Sequence, residues 1–270
     1  MDVKKIVYAT NLSEPAFRVL DGLSGLKSLG LQEIVLLCAV DKEEGSEWNK
    51  SKDAALKVFE AWKKRLSDLG INASIRIDPG NLATSVLNTI QKNNISFIIL
   101  HYNKKENRKM FGGSFLKDII KSTNIPLLVV DKDEKGLNFS SKGMFERVLL
   151  PADWSPAYEK ALQYVLNFKE LTSELEIVNV IFEKLSLRDL QQLIKKMIDI
   201  RSMFLELGIS TEYHMYAGKT DEEILRAAQE YESTVIVMGA TRRRNFKDIF
   251  SGTPAYRVIE KALIPVLLVR

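Results

Sequence analysis

The sequence predicts an α/β protein of two tandem domains, each a parallel sheet with helices between its strands. Residues 34–40 and 235–238 are continuous apolar runs, typical of parallel strands that are buried on both faces and therefore do not alternate. Segments of helical periodicity separate such runs. The whole order then occurs twice, because residues 147–156 repeat the pattern of residues 5–14 at an offset of 142. A repeated strand–helix–strand order predicts two units with right-handed parallel crossovers.

The first half contains five predicted strands, at residues 6–10, 34–40, 73–77, 97–100 and 126–130. Ser13, followed by Pro15, predicts a helix start, and Asn81 predicts another. The long helix between residues 46 and 70 is expected to bury Leu56, Phe59 and Leu66 on one face, with lysines opposite.

A polar stretch at residues 131–143 contains two glycines and little periodicity, so it predicts a linker. It divides the chain into a domain at 1–130 and a domain at 144–270. In the second domain, Ser155 with Pro156 repeats the cap and first-turn proline more cleanly than the first domain does. Thr220, followed by Asp-Glu-Glu, predicts a capping box for a later helix.

Bulk composition excludes several classes of protein. The chain is 46% hydrophobic and 27% charged, which is a soluble globular profile, and no apolar run approaches the ~20 residues of a membrane helix. Residues 1–5 lead straight into a strand without a signal-peptide pattern. The single Cys38 can form no internal disulfide, which indicates a cytoplasmic protein with a buried, inert thiol. A net charge of +4 does not indicate a nucleic-acid partner.

The most informative stretch is residues 234–269: an apolar strand, a basic loop between Gly239 and Gly252, a helix and a final apolar strand. A loop that leaves the carboxyl end of a parallel strand lies where open α/β sheets bind ligands. The N–H groups freed at the following helix start, together with the helix dipole, suit an anion such as phosphate.

These residues resemble the universal stress protein family in its tandem two-domain form. The resemblance covers nearly the whole chain, and rests on Ala-Asp-Trp-Ser at 152–155, on Tyr-Ala-Gly at 216–218, on Gly252-Thr253 and on the closing apolar run 264–269. It implies open five-stranded parallel sheets of order 3-2-1-4-5, with helices on both faces and edge strands that pair domains or subunits.

Many members of that family bind ATP through Gly-x2-Gly-x9-Gly-Ser/Thr after the fourth strand, whereas others lack the motif and bind no nucleotide. Here Arg242 replaces the second glycine, and Ala255 replaces a further hydroxyl. The guanidinium of Arg242 either fills the phosphate space or binds phosphate. The resemblance implies a site for ATP, ADP or AMP made of Pro151, Ala152, Asp153 and Val180 around the adenosine, Met238 nearby, and Gly239, Arg242, Gly252 and Thr253 at the phosphates.

The first half retains less of the motif. Asn11 stands in place of the nucleotide-contacting aspartate, His101 in place of the first glycine and Lys104 in place of the second. Only Gly113-Ser114 is retained, after a loop that is one residue shorter. This half is therefore not expected to bind nucleotide.

Several of these residues also have a purely structural interpretation. The three arginines 242–244 also suit a solvated loop, Asp153 a turn into the helix, and Trp154 surface packing. His101 is expected to be a structural histidine, and His214 carries no functional signal. The two histidines and one cysteine show no metal-ligand spacing, and neither a P-loop nor a catalytic constellation is evident.

The leading hypothesis is a non-catalytic stress or regulatory protein that binds an adenine nucleotide in its C-terminal domain. The alternative is a nucleotide-free interaction module of the same fold, acting on an unidentified protein partner. Slow ATP hydrolysis or autophosphorylation at Thr253 ranks last, because no general base is apparent. Residues 126–130 and 265–269 are expected to be edge strands that pair with each other as an internal pseudo-dimer, and a further homodimer is compatible with the family pattern.

Overall fold

A computed structural model describes residues 3–10, 12, 16–40, 46–102, 114–131, 143–182, 184–240 and 253–270. The chain divides into two compact units, Met1–Gly136 and Leu137–Arg270. The division lies within the predicted linker 131–143, of which residues 132–142 are outside the described part of the chain.

The first unit alternates strands and helices as the apolar runs predict. Its strands are β1 Lys5–Thr10, β2 Glu33–Val40, β3 Asn72–Pro79, β4 Phe97–Tyr102 and β5 Leu127–Asp131. Its helices are α1 Ala16–Gly22, α2 Ser46–Asp68, α3 Leu82–Lys92 and α4 Ser114–Ser122, with a short 3-10 turn at Ser24–Lys27. Asn81 caps α3 as predicted, because its side chain accepts a hydrogen bond from the Thr84 N–H at 3.2 Å.

The second unit repeats this order. Its strands are β6 Arg147–Pro151, β7 Glu174–Ile181, β8 Ser210–Ala217, β9 Val235–Gly239 and β10 Val266–Val269. Its helices are α5 Pro156–Asn167, α6 Leu187–Glu206, α7 Thr220–Glu230 and α8 Pro254–Lys261. Ser155 caps α5 as predicted, since its hydroxyl accepts the Tyr158 N–H at 3.2 Å.

Both units are open parallel α/β sheets of the predicted strand order. The first unit has the order β3-β2-β1-β4-β5, and the second has the corresponding order β10-β9-β6-β7-β8. The strands within each unit pair in parallel. In the second unit the chain moves outward from β6 to β7 on one side and from β9 to β10 on the other. The carboxyl ends of β6 and β9 therefore form a topological switch point, where such sheets bind ligands.

The repeat extends to the register of the strands and to backbone conformation. Ile6 pairs with Phe97 in the first unit, and Val148, its counterpart, pairs with Val235 in the second. Leu12 and Trp154, which are 142 residues apart, both have positive φ values, of 62° and 58°. A left-handed conformation is uncommon for residues other than glycine and costs roughly 1–2 kcal/mol. Its presence twice shows that the turn after the first strand is a property of the fold.

Two local predictions are wrong. Leu56 is 38% exposed, because the buried stripe of α2 runs through Ala55, Phe59, Trp62 and Leu66, and Leu56 lies about 90° away from it on a helical wheel. Thr220 does not cap α7: the cap position is Lys219, which makes no side-chain capping bond. Thr220, the predicted cap, is instead the first residue of the helix, one position after the observed cap.

No helix in the described ranges combines the length and apolar character needed to cross a membrane. The pairing of the two edge strands stays a prediction.

Candidate functional site

Four elements of the second unit bring most of the predicted site residues to one end of its sheet. Pro151 is the last residue of β6, and Val180 is the second-to-last residue of β7. Gly239 is the last residue of β9, and Thr253 directly precedes α8. Because parallel strands end at the same edge of a sheet, the predicted adenosine and phosphate residues converge at the switch point. Arg242 and Gly252 lie outside the described residues.

The turn after β6 is held by main-chain and side-chain hydrogen bonds. The Ala152 N–H donates to the Val178 carbonyl at 2.8 Å, and the Ala152 carbonyl accepts from Asn179 Nδ2 at 2.6 Å. Ala152 and Asn179 are buried. A buried side-chain amide that bonds to a neighbouring turn fixes the chain path just before Asp153.

Asp153 has one carboxylate oxygen in use and is exposed to solvent. Its Oδ1 accepts the Ser155 N–H at 3.0 Å, which is an Asx turn leading into α5. This confirms the structural interpretation of Asp153 as part of the helix entry. It also leaves Oδ2 without a hydrogen-bond partner among the described residues, and a carboxylate oxygen of this kind accepts a hydroxyl or amino donor.

Gly239 is required by close packing with α5. A Cβ atom at this position would overlap the Ala157 carbonyl group and would lie 2.7 Å from the Tyr158 nitrogen. Those atoms belong to helix backbone and have little freedom to move. The glycine that begins the predicted phosphate motif therefore lets the first turn of α5 approach the end of β9.

Thr253 is the cap residue of α8. Its Oγ1 accepts the Tyr256 N–H at 3.4 Å, which is long for a hydrogen bond. A hydroxyl that accepts one bond still has a proton to donate, so Thr253 can cap the helix and also donate to an anion. Pro254 stands in the first turn and has no N–H, which leaves α8 one donor fewer than an ordinary helix N-terminus.

Met238 and Tyr158 are both buried close to Gly239. Met238 is buried on β9 directly opposite Leu268 of β10. The Tyr158 hydroxyl is buried without a hydrogen-bond partner in the described residues. Burial raises the pKa of Tyr158, and the negative charges of Glu159 and Asp153 raise it further, so the phenol stays protonated.

The corresponding position in the first unit is filled. His101 pairs with Thr10 across β4 and β1 and is fully buried. Its Nδ1 lies 3.4 Å from Thr10 Oγ1, and its ring stacks on Tyr8 with centroids 6.3 Å apart. An imidazole thus occupies the place where the second unit has Gly239. Asn11, Lys104 and Gly113 lie outside the described residues.

Sequence reasoning missed a cleft beside the predicted adenosine residues. Trp154, expected to be surface packing, is partly buried and is held edge-to-face against Tyr158 with centroids 5.1 Å apart. Together with the end of β7 and one side of α6, it encloses a cleft of about 260 Å³. A tryptophan after an aspartate carries no local signal for this, because the other walls come from residues 25 to 42 positions further along the chain.

His214 also has more neighbours than the sequence indicated. Its Nε2 lies 2.7 Å from Glu176 Oε2, and its Nδ1 lies 3.1 Å from the Tyr231 hydroxyl. Tyr216 extends this chain to Glu230 with two contacts of 3.1 Å. The network joins β7, β8 and the end of α7, and its Tyr216 pairs with Val180 across the two strands. No group of His, Cys, Asp or Glu side chains able to hold a metal ion occurs in the described ranges.

The sequence of this chain is similar to those of known proteins. A model of the universal stress protein family matches residues 144–270. A universal stress protein of Methanocaldococcus jannaschii is 27% identical over 155 aligned residues, covering 47% of this chain and 96% of its own. One from Synechocystis sp. is 23% identical over 270 residues, covering 98% of this chain and 89% of its own.

A solved structure shows the same fold over both units. The crystal structure of a universal stress protein from Archaeoglobus fulgidus superposes with a TM-score of 0.76 at 21% sequence identity, covering 98% of this chain and 96% of that one. The family model covers the second unit, and the Synechocystis relative and this structure extend the similarity over the first. The second unit therefore matches the universal stress protein family, and the chain as a whole is similar in sequence and fold to universal stress proteins.

Proposed function

We propose that the second unit binds an adenine nucleotide (ATP, ADP or AMP) and that the protein is a non-catalytic, stress-related regulator. The observation that carries the proposal is the convergence of Pro151, Asp153, Val180, Gly239 and Thr253 at the switch point of one sheet. Residues from four separate elements meet where open α/β sheets hold their ligands.

The described atoms supply complementary chemistry for such a ligand. Asp153 Oδ2 accepts from a ribose hydroxyl or an adenine amino group, while Oδ1 keeps the turn in place. Thr253 donates its hydroxyl proton to a phosphate oxygen at the N-terminus of α8, where the helix dipole favours negative charge. Nucleotide binding then favours one arrangement of the loop between Gly239 and Thr253, and regulation follows from that shift in population.

The positions of the two histidines support binding rather than hydrolysis. The chain has only His101 and His214. His101 is buried inside the first unit, and His214 of β8 is engaged by Glu176 of β7 and by Tyr231 at the end of α7. No contact in the described part of the chain joins His214 to Thr253 or Asp153 as a general base would require, so slow hydrolysis or autophosphorylation remains the weakest candidate.

A second function is favoured by one specific observation. Gly239 is needed for helix packing and Thr253 caps α8, so both residues have structural reasons to be present without any nucleotide. The same fold then serves as an interaction module for a protein partner. The two candidates differ in whether the second unit holds a nucleotide.

Mass spectrometry of protein purified without added nucleotide tests this difference, followed by calorimetric titration with ATP, ADP and AMP. We expect at most one nucleotide per chain, because His101 occupies the equivalent position of the first unit. Two equal sites would contradict the assignment to the second unit. No bound nucleotide, and no heat of binding at millimolar concentrations, would favour the interaction module.

Asp153→Asn sharpens the titration. Asparagine preserves the Asx turn to Ser155 but removes the charge and replaces one acceptor oxygen by a donor. Loss of a charge-assisted hydrogen bond of about 1.5–3 kcal/mol predicts a ten- to hundredfold weaker affinity. The matched control is Asp199→Asn, an exposed carboxylate on α6, which should leave the affinity unchanged. Equal effects of the two variants would remove Asp153 from the site.

Arg242 decides whether the altered motif aids or blocks phosphate. If its guanidinium binds phosphate, Arg242→Ala should weaken ATP and ADP more than adenosine. If it fills the phosphate space, Arg242→Gly should tighten ATP binding, since glycine restores the close approach of backbone to phosphate.

A further inference from the structure

The cleft beside Trp154 lies entirely within the second unit. It is bounded by the end of β7, by the start of the following segment and by the inward side of α6. Its volume of about 260 Å³ is below the 300–1,000 Å³ of pockets that hold drug-sized ligands, and is roughly the volume of nine water molecules. Such a cleft accommodates a molecule of one or two rings and is too small for a whole nucleotide.

Its walls are predominantly apolar, and part of them faces solvent. Val180, Ile181 and Leu193 form the inner wall, whereas Phe182 and Leu185 stand at the rim. Phe182 is 76% exposed and Leu185 is 43% exposed. A ligand in the cleft would cover these exposed apolar side chains and remove them from water. That burial would contribute favourable free energy to ligand binding.

One cation in the cleft makes no ion pair among the described residues. Lys196 Nζ lies 5.3 Å from the centre of the Trp154 ring, and it has no ion pair in the described part of the chain. The carboxylate of Asp189 is already engaged, because it accepts the Ser186 hydroxyl at 2.6 Å at the start of α6. The Asp189 N–H in turn donates to Ser186 Oγ at 3.2 Å. Asp189 keeps its charge but is held at the helix cap by these bonds and does not pair with Lys196, so the ammonium has no direct anionic partner.

We propose that this cleft binds a small aromatic carboxylate, with its ring against the apolar walls and its carboxylate on Lys196. The apolar part of the cleft favours a ring, and the ammonium, which makes no ion pair in the described part of the chain, favours an anion. This site is additional to the proposed nucleotide site, and its test uses no nucleotide. It adjoins that site through Val180, which places a second ligand next to the switch point.

The test is a titration of the full-length chain with 2-naphthoate, and separately with its uncharged isostere 2-naphthamide, followed by ligand-observed NMR. We expect 2-naphthoate to bind more tightly than 2-naphthamide. Lys196→Met retains most of the aliphatic stem and removes the charge, and it should weaken 2-naphthoate about three- to tenfold while leaving 2-naphthamide unchanged. Lys195→Met is the matched control, because Lys195 is an exposed neighbour that does not line the cleft.

A second variant tests the location by repulsion. Leu185→Glu places a carboxylate at a rim position that is already partly exposed, so the fold should tolerate it. It should weaken 2-naphthoate more than 2-naphthamide. The proposal is overturned if wild-type protein binds neither compound at millimolar concentrations, or if the amide binds as well as the acid. Equal losses from Lys195→Met and Lys196→Met would also overturn it, because the attraction would then be general surface charge.

Discussion

The buried carboxylate of Asp221 is expected to hold the last two helices of the second unit together. Its side chain is only 3% exposed in the first turn of α7. It accepts hydrogen bonds from Arg257 Nε at 2.7 Å and from Lys261 Nζ at 2.8 Å, both on α8. Because Thr253 caps α8, this contact also positions the proposed phosphate end of the site. We therefore expect Asp221→Asn to loosen α8 and to destabilise the second unit.

The size of the effect follows from the contacts. The asparagine side chain can still accept a hydrogen bond from one of the two cations through its oxygen, but its NH2 group faces the other cation, and both are donors. About one hydrogen bond to a charged group is therefore lost, which costs ~1.5–3 kcal/mol of stability. The favourable charge at the N-terminus of α7 is lost as well, worth about 0.3–1 kcal/mol. Arg257 and Lys261 are 36% and 49% exposed, so water recovers part of their solvation after the substitution. We expect a net loss of about 2 kcal/mol in the free energy of unfolding.

The stability difference between wild type and Asp221→Asn is expected to depend on pH. Burial opposes the charge of Asp221, but hydrogen bonds from Lys261 and Arg257 outweigh it and lower the pKa of the carboxyl group. A group with a lowered folded pKa contributes stability above its unfolded pKa, near 3.9, and loses it as the pH falls through the folded value. The difference between wild type and Asp221→Asn should therefore be largest at neutral pH and shrink in acid.

Urea denaturation with Trp154 fluorescence measures this, because Trp154 is the single tryptophan of the second unit. The matched control is Glu222→Gln, the next residue along α7, whose carboxylate is 55% exposed and pairs with Lys219 at 3.0 Å. An exposed pair of that kind contributes less than about 1 kcal/mol. Equal losses from the two variants, or a difference that grows as the pH is lowered, would refute the reasoning.

Two further predictions concern packing and the thiol. Gly239→Ala should destabilise the second unit by about 1–3 kcal/mol, because the added Cβ overlaps the backbone of α5. The control Gly208→Ala should cost only ~1 kcal/mol, because its Cβ meets no neighbour and the cost comes from its φ of 79°. Equal urea midpoints for the two variants would contradict this prediction. Cys38 is buried, and burial raises the pKa of its thiol to about 12, with a smaller contribution from the charge of Asp78. It should react with a disulfide reagent only after unfolding, and a native rate close to that of a free thiol would show otherwise.

The sequence by itself determined the architecture of each unit. Continuous apolar runs separated by helical segments specify parallel strands, because burial on both faces leaves no polar alternation. Caps such as Asn81 and Ser155 were readable because a short side chain bonds to backbone only three residues away. The repeat and the motif spacing also led to the family whose model matches residues 144–270. All of these are local patterns, or copies of local patterns.

Only the tertiary structure decided what the individual site residues contact. The need for glycine at position 239 comes from Ala157, and the partners of Asp221 come from α8, so neither is encoded near the residue itself. His214 gave no signal because Glu176 and Tyr231 reach it from other elements. The cleft at Trp154 likewise needs β7 and α6 together. Periodicity records which face of an element is buried, but a contact between distant residues depends on where the chain returns, and one sequence does not record that.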